Sequence, residues 1–156
     1  MKFIETPGNL LTSEIDAIGH CANCFCTMGS GIALQIKNKF PEAYTADLKT
    51  ISGDKTKFGK FSKCRVSEST NIKYIYNLYG QYTYGRESRK LNYEMIYTAL
   101  EAMKNDCVIT SDITSVGFPK NMGCALAGGD WRIVREMIYS VFEKTPYTVM
   151  IVSYNS

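Results

Sequence analysis

Two glycine-bearing runs carry the chemistry most directly suggested by this chain: Met28-Gly29-Ser30-Gly31 and Gly123-Cys124-Ala125-Leu126-Ala127-Gly128-Gly129. Each stands where a strand would end and a helix begin. The N–H groups of a helix's first turn have no partner within the helix and carry partial positive charge, so such junctions bind phosphate. Glycine lets the backbone come close to a ligand. In open α/β sheets these loops gather at the carboxyl ends of the strands, so two of them facing one crevice could hold a diphosphate. Neither run matches GxxxxGK[ST] or GxGxxG, which argues against P-loop kinases and dinucleotide-binding dehydrogenases. Tight turns at helix starts are the alternative for both.

Other residues near these runs have two readings each. His20, the one histidine, and Asn23 precede the first run. An imidazole there can carry protons near pH 7, or it can be structural. Asp130 borders the second run and equally suits the N-cap of the following helix. Residues 79–90 interleave tyrosines with Arg86, Arg89 and Lys90; such a loop could stack bases and contact phosphates, or serve as a lid or solvated turn. Cys21, Cys24 and Cys26 invite a zinc reading, but no second CxxC exists to complete four spaced ligands. Small buried cysteines are the alternative, and no metal is expected.

These groups need a frame. Residues 2–6, 15–20, 63–66, 72–79, 113–118 and 147–154 read as strands by alternation or β-branched and aromatic content. Ile32, Ala33, Ile36 and Phe40 mark a helix that Pro41 should end, and residues 42–60 read as polar turns. Met95, Ile96, Ala99, Leu100 and Met103 mark a second helix, and Trp131, Val134, Met137, Ile138, Val141 and Phe142 a third. About six strands interleaved with three long helices predict an α/β fold with a mixed sheet.

The chain has 156 residues, 45% hydrophobic and 21% charged, the size of one domain and the mixture of a globular one. Residues 1–156 are therefore expected to form a single domain. A net charge of +3 and a pI near 8.5 are mild, below what a nucleic-acid-binding domain usually shows, and suit an anionic small molecule. No apolar run approaches a membrane span and the start lacks a signal-peptide pattern, so a soluble, cytoplasmic protein with reduced cysteines is expected, as a monomer.

Four segments resemble the macrodomain family, the ADP-ribose-binding α/β modules. They are Gly19-His20-Cys21-Ala22-Asn23-Cys24, Met28-Gly29-Ser30-Gly31-Ile32-Ala33, Asn77-Leu78-Tyr79-Gly80-Gln81, and the stretch from Phe118-Pro119 through the second glycine run to Asp130-Trp131. They occur in the family's order, and the likeness is nearest to the branch of ADP-ribose-1''-phosphate phosphatases and terminal ADP-ribose glycohydrolases with bacterial and phage members. The resemblance implies a three-layer α/β/α sandwich with a mixed sheet. It also implies that Gly29, Ser30, Gly31 and Ile32, with Gly123, Cys124, Ala125, Leu126, Ala127 and Gly128, hold the diphosphate and distal ribose of ADP-ribose. Asn23 matches a contact to that ribose, and Tyr154 an aromatic near the adenine. Asn9, beside Leu10, stands where the family usually has an aspartate for the adenine amino group. Gln81 stands where the glycohydrolases keep a nucleophilic lysine, and Ala127 where they keep a catalytic aspartate, so a covalent lysine mechanism does not carry over. His20 coincides with the histidine of the phosphatases. The implied activity is hydrolysis of ADP-ribose-1''-phosphate to ADP-ribose and phosphate without cofactor or metal, with His20 as acid or base and Asp130 as its partner. Removal of ADP-ribose from protein or nucleic acid, and a non-catalytic ADP-ribose reader, are the alternatives.

Overall fold

The computed structural model describes residues 1–67, 71–85 and 88–154. All six strands form and lie in one sheet: β1 (Lys2–Gly8), β2 (Ala17–Ala22), β3 (Phe61–Arg65), β4 (Tyr74–Tyr79), β5 (Ser115–Pro119) and β6 (Thr148–Tyr154). The order across the sheet is β1-β6-β5-β2-β4-β3, with β3 antiparallel to β4 and the other pairs parallel. The sheet is mixed because β3 runs backwards at one edge; the two opening strands are not neighbours.

Among the described residues four α-helices cover the sheet, not three: α1 (Gly31–Lys39), α2 (Pro41–Leu48), α3 (Tyr93–Val108) and α4 (Trp131–Phe142). The extra one is α2. Pro41 ends α1 and is itself the first residue of α2, where a proline's fixed φ and missing N–H cost nothing. Only Ala43 and Asp47 of α2 are fully buried, so the segment lacks a strong apolar stripe to betray it. Asn92 caps α3 by accepting from Met95 N at 3.1 Å, and Asp130 caps α4 by accepting from Arg132 N at 3.0 Å.

Strand alternation divides the core into two layers. Ala17, Tyr76, Leu78, Val116 and Phe118 pack with Ile96, Leu100 and Met103 of α3 and Val134 and Ile138 of α4. Ile18, Ile75 and Val152 pack with Ile36, Phe40 and Ala43 on the α1–α2 side. The architecture is a three-layer α/β/α sandwich. No helix among the described residues is long and apolar enough to cross a membrane.

One detail of the sheet places the site. β2 and β5 are neighbours, but they pair only through Ala17 with Val116 and Ile18 with Gly117. Beyond Ile18 and Gly117 the two strands separate, leaving a crevice at their carboxyl ends where both glycine loops begin.

Candidate functional site

The crevice opens into a cleft of about 740 Å³, within the range of small-molecule sites. Gly29, Ser30, Gly31 and Ile32 form one wall, and Gly123, Ala125, Leu126 and Ala127 the opposite one. Asn9, Leu10, Asn23, Gln81 and Tyr154 line the cleft as well. Of the expected ligand-facing residues, Cys124 and Gly128 are not on the cleft wall.

The two loops use glycine differently. Gly31 begins α1 at φ +58, and a Cβ built on Gly29 or Gly31 would meet nothing within 4 Å. Those positions face open cleft. Ser30 is the N-cap residue of α1 but makes no side-chain cap bond. The amides of Ile32 and Ala33 have no partner among the described residues, so the positive end of α1 faces the cleft with free donors. In the second loop, Cβ atoms on Gly123 and Gly129 would come within 2.8 and 2.4 Å of Leu91, and one on Gly128 within 3.2 Å of the Arg89 backbone. These glycines let the loop press against residues 89–91, where Ala127 O accepts from Lys90 N and Leu91 N at 2.8 and 3.1 Å. That packing turns Cys124 and Gly128 away and explains why neither lines the cleft. The amides of Ala125, Leu126 and Ala127 have no partner among the described residues, giving a second set of donors.

Asn23, Thr27, Gln81 and Tyr84 line the cleft on the side of β2 and β4; Asn9, Leu10, Val152 and Tyr154 line it on the side of β1 and β6. Asn23 holds its own turn, accepting from Phe25 N at 2.8 Å and donating to Thr27 Oγ1 at 2.7 Å. Gln81 donates to Thr83 O at 3.0 Å. Thr27, Gln35, Tyr84, Lys120 and Asn121 also reach the cleft and were not among the expected ligand contacts. Tyr84 had a signal in the tyrosine-rich loop and Lys120 in following Pro119 at the end of β5; the other three had none.

His20 requires a correction. It is 0% exposed and does not line the cleft. In β2 its side chain lies opposite Asn77 of β4, with Nε2 at 2.6 Å from Asn77 Oδ1. The Asn77 amide donates to Ala43 O and Ser62 Oγ, both at 3.0 Å, so its oxygen faces the imidazole and Nε2 is the donor. Nδ1 has no partner. Burial pushes the imidazole down to about 4, against a smaller opposing effect of Asn77. A neutral, enclosed imidazole cannot reach a ligand in the cleft, so the acid–base role expected for His20 does not fit its position.

Asp130 is corrected for the same reason. Besides capping α4 it pairs with Arg132 at 2.9 Å, and it borders a shallow groove with Tyr97 and Glu136 rather than the cleft. The side-chain bond from Arg132 holds its carboxyl below the usual range. The helix-cap reading is the one that the geometry bears out.

The three clustered cysteines do not converge. Cys21 Sγ lies 3.6 Å from Gln81 Oε1, Cys24 Sγ 3.6 Å from Gln81 O, and Cys26 Sγ 3.3 Å from Asp47 O. Among the described residues no group of three His, Cys, Asp or Glu could hold a metal. Cys21 lines the cleft, but burial pushes its thiol up to about 12, which keeps it protonated and weakly nucleophilic. In the tyrosine-rich loop, Tyr82 packs on Phe25 at 5.0 Å and donates to Gly53 O at 2.6 Å, while Tyr84 is 57% exposed at the cleft. Arg86 and Glu87 lie outside the described residues.

A sheet of this order, with two donor-lined loops on adjacent strands, is the arrangement of a macrodomain. The Macro domain family model matches residues 20–138, and the chain belongs to that family. It is 32% identical over 138 residues to the human ADP-ribose glycohydrolase OARD1, covering 88% of this chain and 82% of that protein. It is 30% identical over 142 residues to a DNA ADP-ribosyl glycohydrolase of Mycobacterium tuberculosis, of whose length it spans 38%. The macrodomain of Mycobacterium tuberculosis DarG superposes with a TM-score of 0.81 at 24% identity, covering 99% of this chain and 98% of that one.

Proposed function

We propose that this protein is an ADP-ribosyl hydrolase, which binds a terminal ADP-ribose in the cleft and releases it from the molecule that carries it. One observation carries the reading: β2 and β5 are adjacent, so the free amides of Ile32 and Ala33 and those of Ala125, Leu126 and Ala127 stand on opposite walls of one crevice. Two sets of N–H donors at that spacing suit a diphosphate. Asn23, Thr27 and Gln81 then suit the distal ribose, and Leu10, Val152 and Tyr154 offer apolar and aromatic surface to the base. The names of the relatives at 32% and 30% identity, an ADP-ribose glycohydrolase and a DNA ADP-ribosyl glycohydrolase, support hydrolysis over mere binding.

The described cleft wall holds neither carboxylate nor imidazole. In this reading the residues fix the diphosphate and orient the scissile bond, so that positioning provides most of the acceleration. The loop amides hold the diphosphate in place. As the bond between the ribose C1'' and its carrier breaks, a water oxygen bonds to C1'', and the water's proton passes through solvent to the departing group. Hydrolysis of ADP-ribose-1''-phosphate, the finer expectation, relied on a cleft-facing His20 and has lost that proton carrier.

The test is a panel of ADP-ribosylated protein, ADP-ribosylated DNA and ADP-ribose-1''-phosphate, with products separated by chromatography. Free ADP-ribose released from a modified macromolecule, and abolished by Gly29→Glu, is the expected result. Release of inorganic phosphate alone would restore the phosphatase, and tight binding without turnover would make the protein a reader.

A further inference from the structure

Outside the cleft, three reactive side chains from different segments meet behind the turn that carries Asn23 and Thr27. The first is Cys26, half-buried on that turn. Lys57 ends the short 3₁₀ turn Lys55–Lys57 and brings Nζ to 3.5 Å from Cys26 Sγ. The lysine is 8% exposed, donates to Thr50 Oγ1 at 2.8 Å and stands 5.1 Å from the centre of the Tyr79 ring. The third is Asp47 of α2, which is 1% exposed and whose Oδ2 has no partner among the described residues. Burial raises this carboxyl above its ordinary value, opposed in part by the charge of Lys57, which makes it a better proton acceptor than an exposed carboxylate.

The sulfur is held against this pair. Cys26 Sγ lies 3.3 Å from Asp47 O and 3.7 Å from Thr50 O. Its turn is tied down as well, since Gly53 N donates to Cys24 O at 2.7 Å and the Tyr44 hydroxyl to Cys26 O at 3.4 Å. The other cysteines lack such surroundings: burial pushes the thiol of Cys21 up to about 12 and those of Cys24, Cys64, Cys107 and Cys124 up to about 11. Reactive cysteines sit in electropositive, partly exposed places, and a sulfenic acid formed there condenses with a neighbouring nitrogen to a sulfenamide.

We propose that Cys26 and Lys57 form a modification site, at which a peroxide joins Sγ to Nζ in a sulfenamide. The Cys26 sulfur attacks one oxygen of hydrogen peroxide and the O–O bond breaks, giving the sulfenic acid and a water. Sulfur gives up two electrons and the peroxide takes them. Lys57 then passes one ammonium proton to Asp47, and its nitrogen lone pair attacks the sulfur. The S–O bond breaks, and the hydroxyl leaves as a second water with another proton from that nitrogen. Thiol, ammonium and peroxide thus become sulfenamide, two waters and the proton held by Asp47. The link ties the Asn23–Thr27 side of the cleft to position 57, and it does not depend on the hydrolase reading.

Exposure of the native protein to hydrogen peroxide, followed by intact-mass measurement and tandem mass spectrometry of its peptides, tests the site. The expected product is about 2 Da lighter than the thiol form, yields the peptides of residues 26 and 57 joined, and reverts with dithiothreitol. It should also melt at a higher temperature, because the link closes a loop of about thirty residues. Cys26→Ser removes the sulfur, and Lys57→Arg keeps the cation but never offers a neutral amine; neither variant should show the loss of mass. Oxygen added at Cys26 with Lys57 unmodified, or a Cys26 that remains a thiol while methionines oxidise, overturns the proposal. The peptides of the native protein decide this by themselves if either variant fails to fold.

Discussion

His20 Nε2 donates to Asn77 Oδ1 at 2.6 Å across the β2–β4 pair, on the inner side of the strand and away from the cleft. The bond begins a buried chain. Asn77 Nδ2 donates to Ser62 Oγ at 3.0 Å, Ser62 meets the Tyr79 hydroxyl at 2.7 Å, and Tyr79 donates to Asp47 Oδ1 at 2.6 Å. Each member orients the next, from the middle of the sheet to helix α2.

A residue so placed should matter for stability and little for turnover. His20→Ala empties a filled site and leaves Asn77 Oδ1 without its donor, a loss of about 2–4 kcal/mol by cavity and hydrogen-bond reasoning. The melting temperature is expected to fall clearly, while kcat at a temperature where the variant is folded stays within about threefold of native. A drop of a hundredfold or more in a fully folded variant, the scale of a general acid or base, would return the imidazole to the chemistry.

The same burial makes stability pH-dependent. With the folded imidazole near 4 and its ordinary value at 6.5, the unfolded chain binds the extra proton between those values. Stability is then fully present above about pH 6.5 and is lost as the pH falls toward 4, by up to about 3 kcal/mol. Asp47, whose carboxyl is raised chiefly by burial, acts in the opposite sense on acidification. Denaturant titrations of native protein and His20→Ala from pH 7 to 4 separate the two. The native curve should fall more steeply, and parallel curves would refute a neutral buried imidazole.

Gly29→Glu tests the anion site cleanly. Gly31 lies at φ +58, where any side chain adds backbone strain, whereas Gly29 has no such conformation and open space around its Cβ position. A carboxylate at position 29 should abolish ADP-ribose binding with the melting temperature unchanged. Native affinity in that variant would remove the cleft from between the loops.

Asp130→Ala should act only on α4. Losing the cap to Arg132 N and the Arg132 pair is expected to lower the melting temperature by a few degrees with kcat and KM unaltered. Lost turnover at unchanged stability is the outcome that would contradict the helix-cap assignment.

The sequence revealed elements wherever one face was apolar. β4, β5, β6 and α4 appear within two residues of their expected bounds, α4 because its buried positions repeat at the helix period and β4 because it is rich in β-branched and aromatic residues and buried on both faces. α2 escaped because it buries Asp47 against Tyr79, a contact with no local signature. The loop positions were legible from glycine spacing, but the roles of their glycines were not. Whether a glycine admits a ligand or a neighbouring chain depends on residues 89–91, some forty positions away from Gly129. For His20, the missing information was the partner: nothing local to β2 says that position 77 will offer an amide oxygen across the sheet.

The contrast between the glycine loops bears on how this protein could change over time. A side chain acquired at position 29 takes its volume from the cleft and alters only what the cleft accepts. One acquired at Gly123 or Gly129 would collide with Leu91 and draw its volume from the core. New ligand preferences are therefore most accessible through the first loop, while the second remains nearly frozen, like a fixed jaw against which an adjustable one is set.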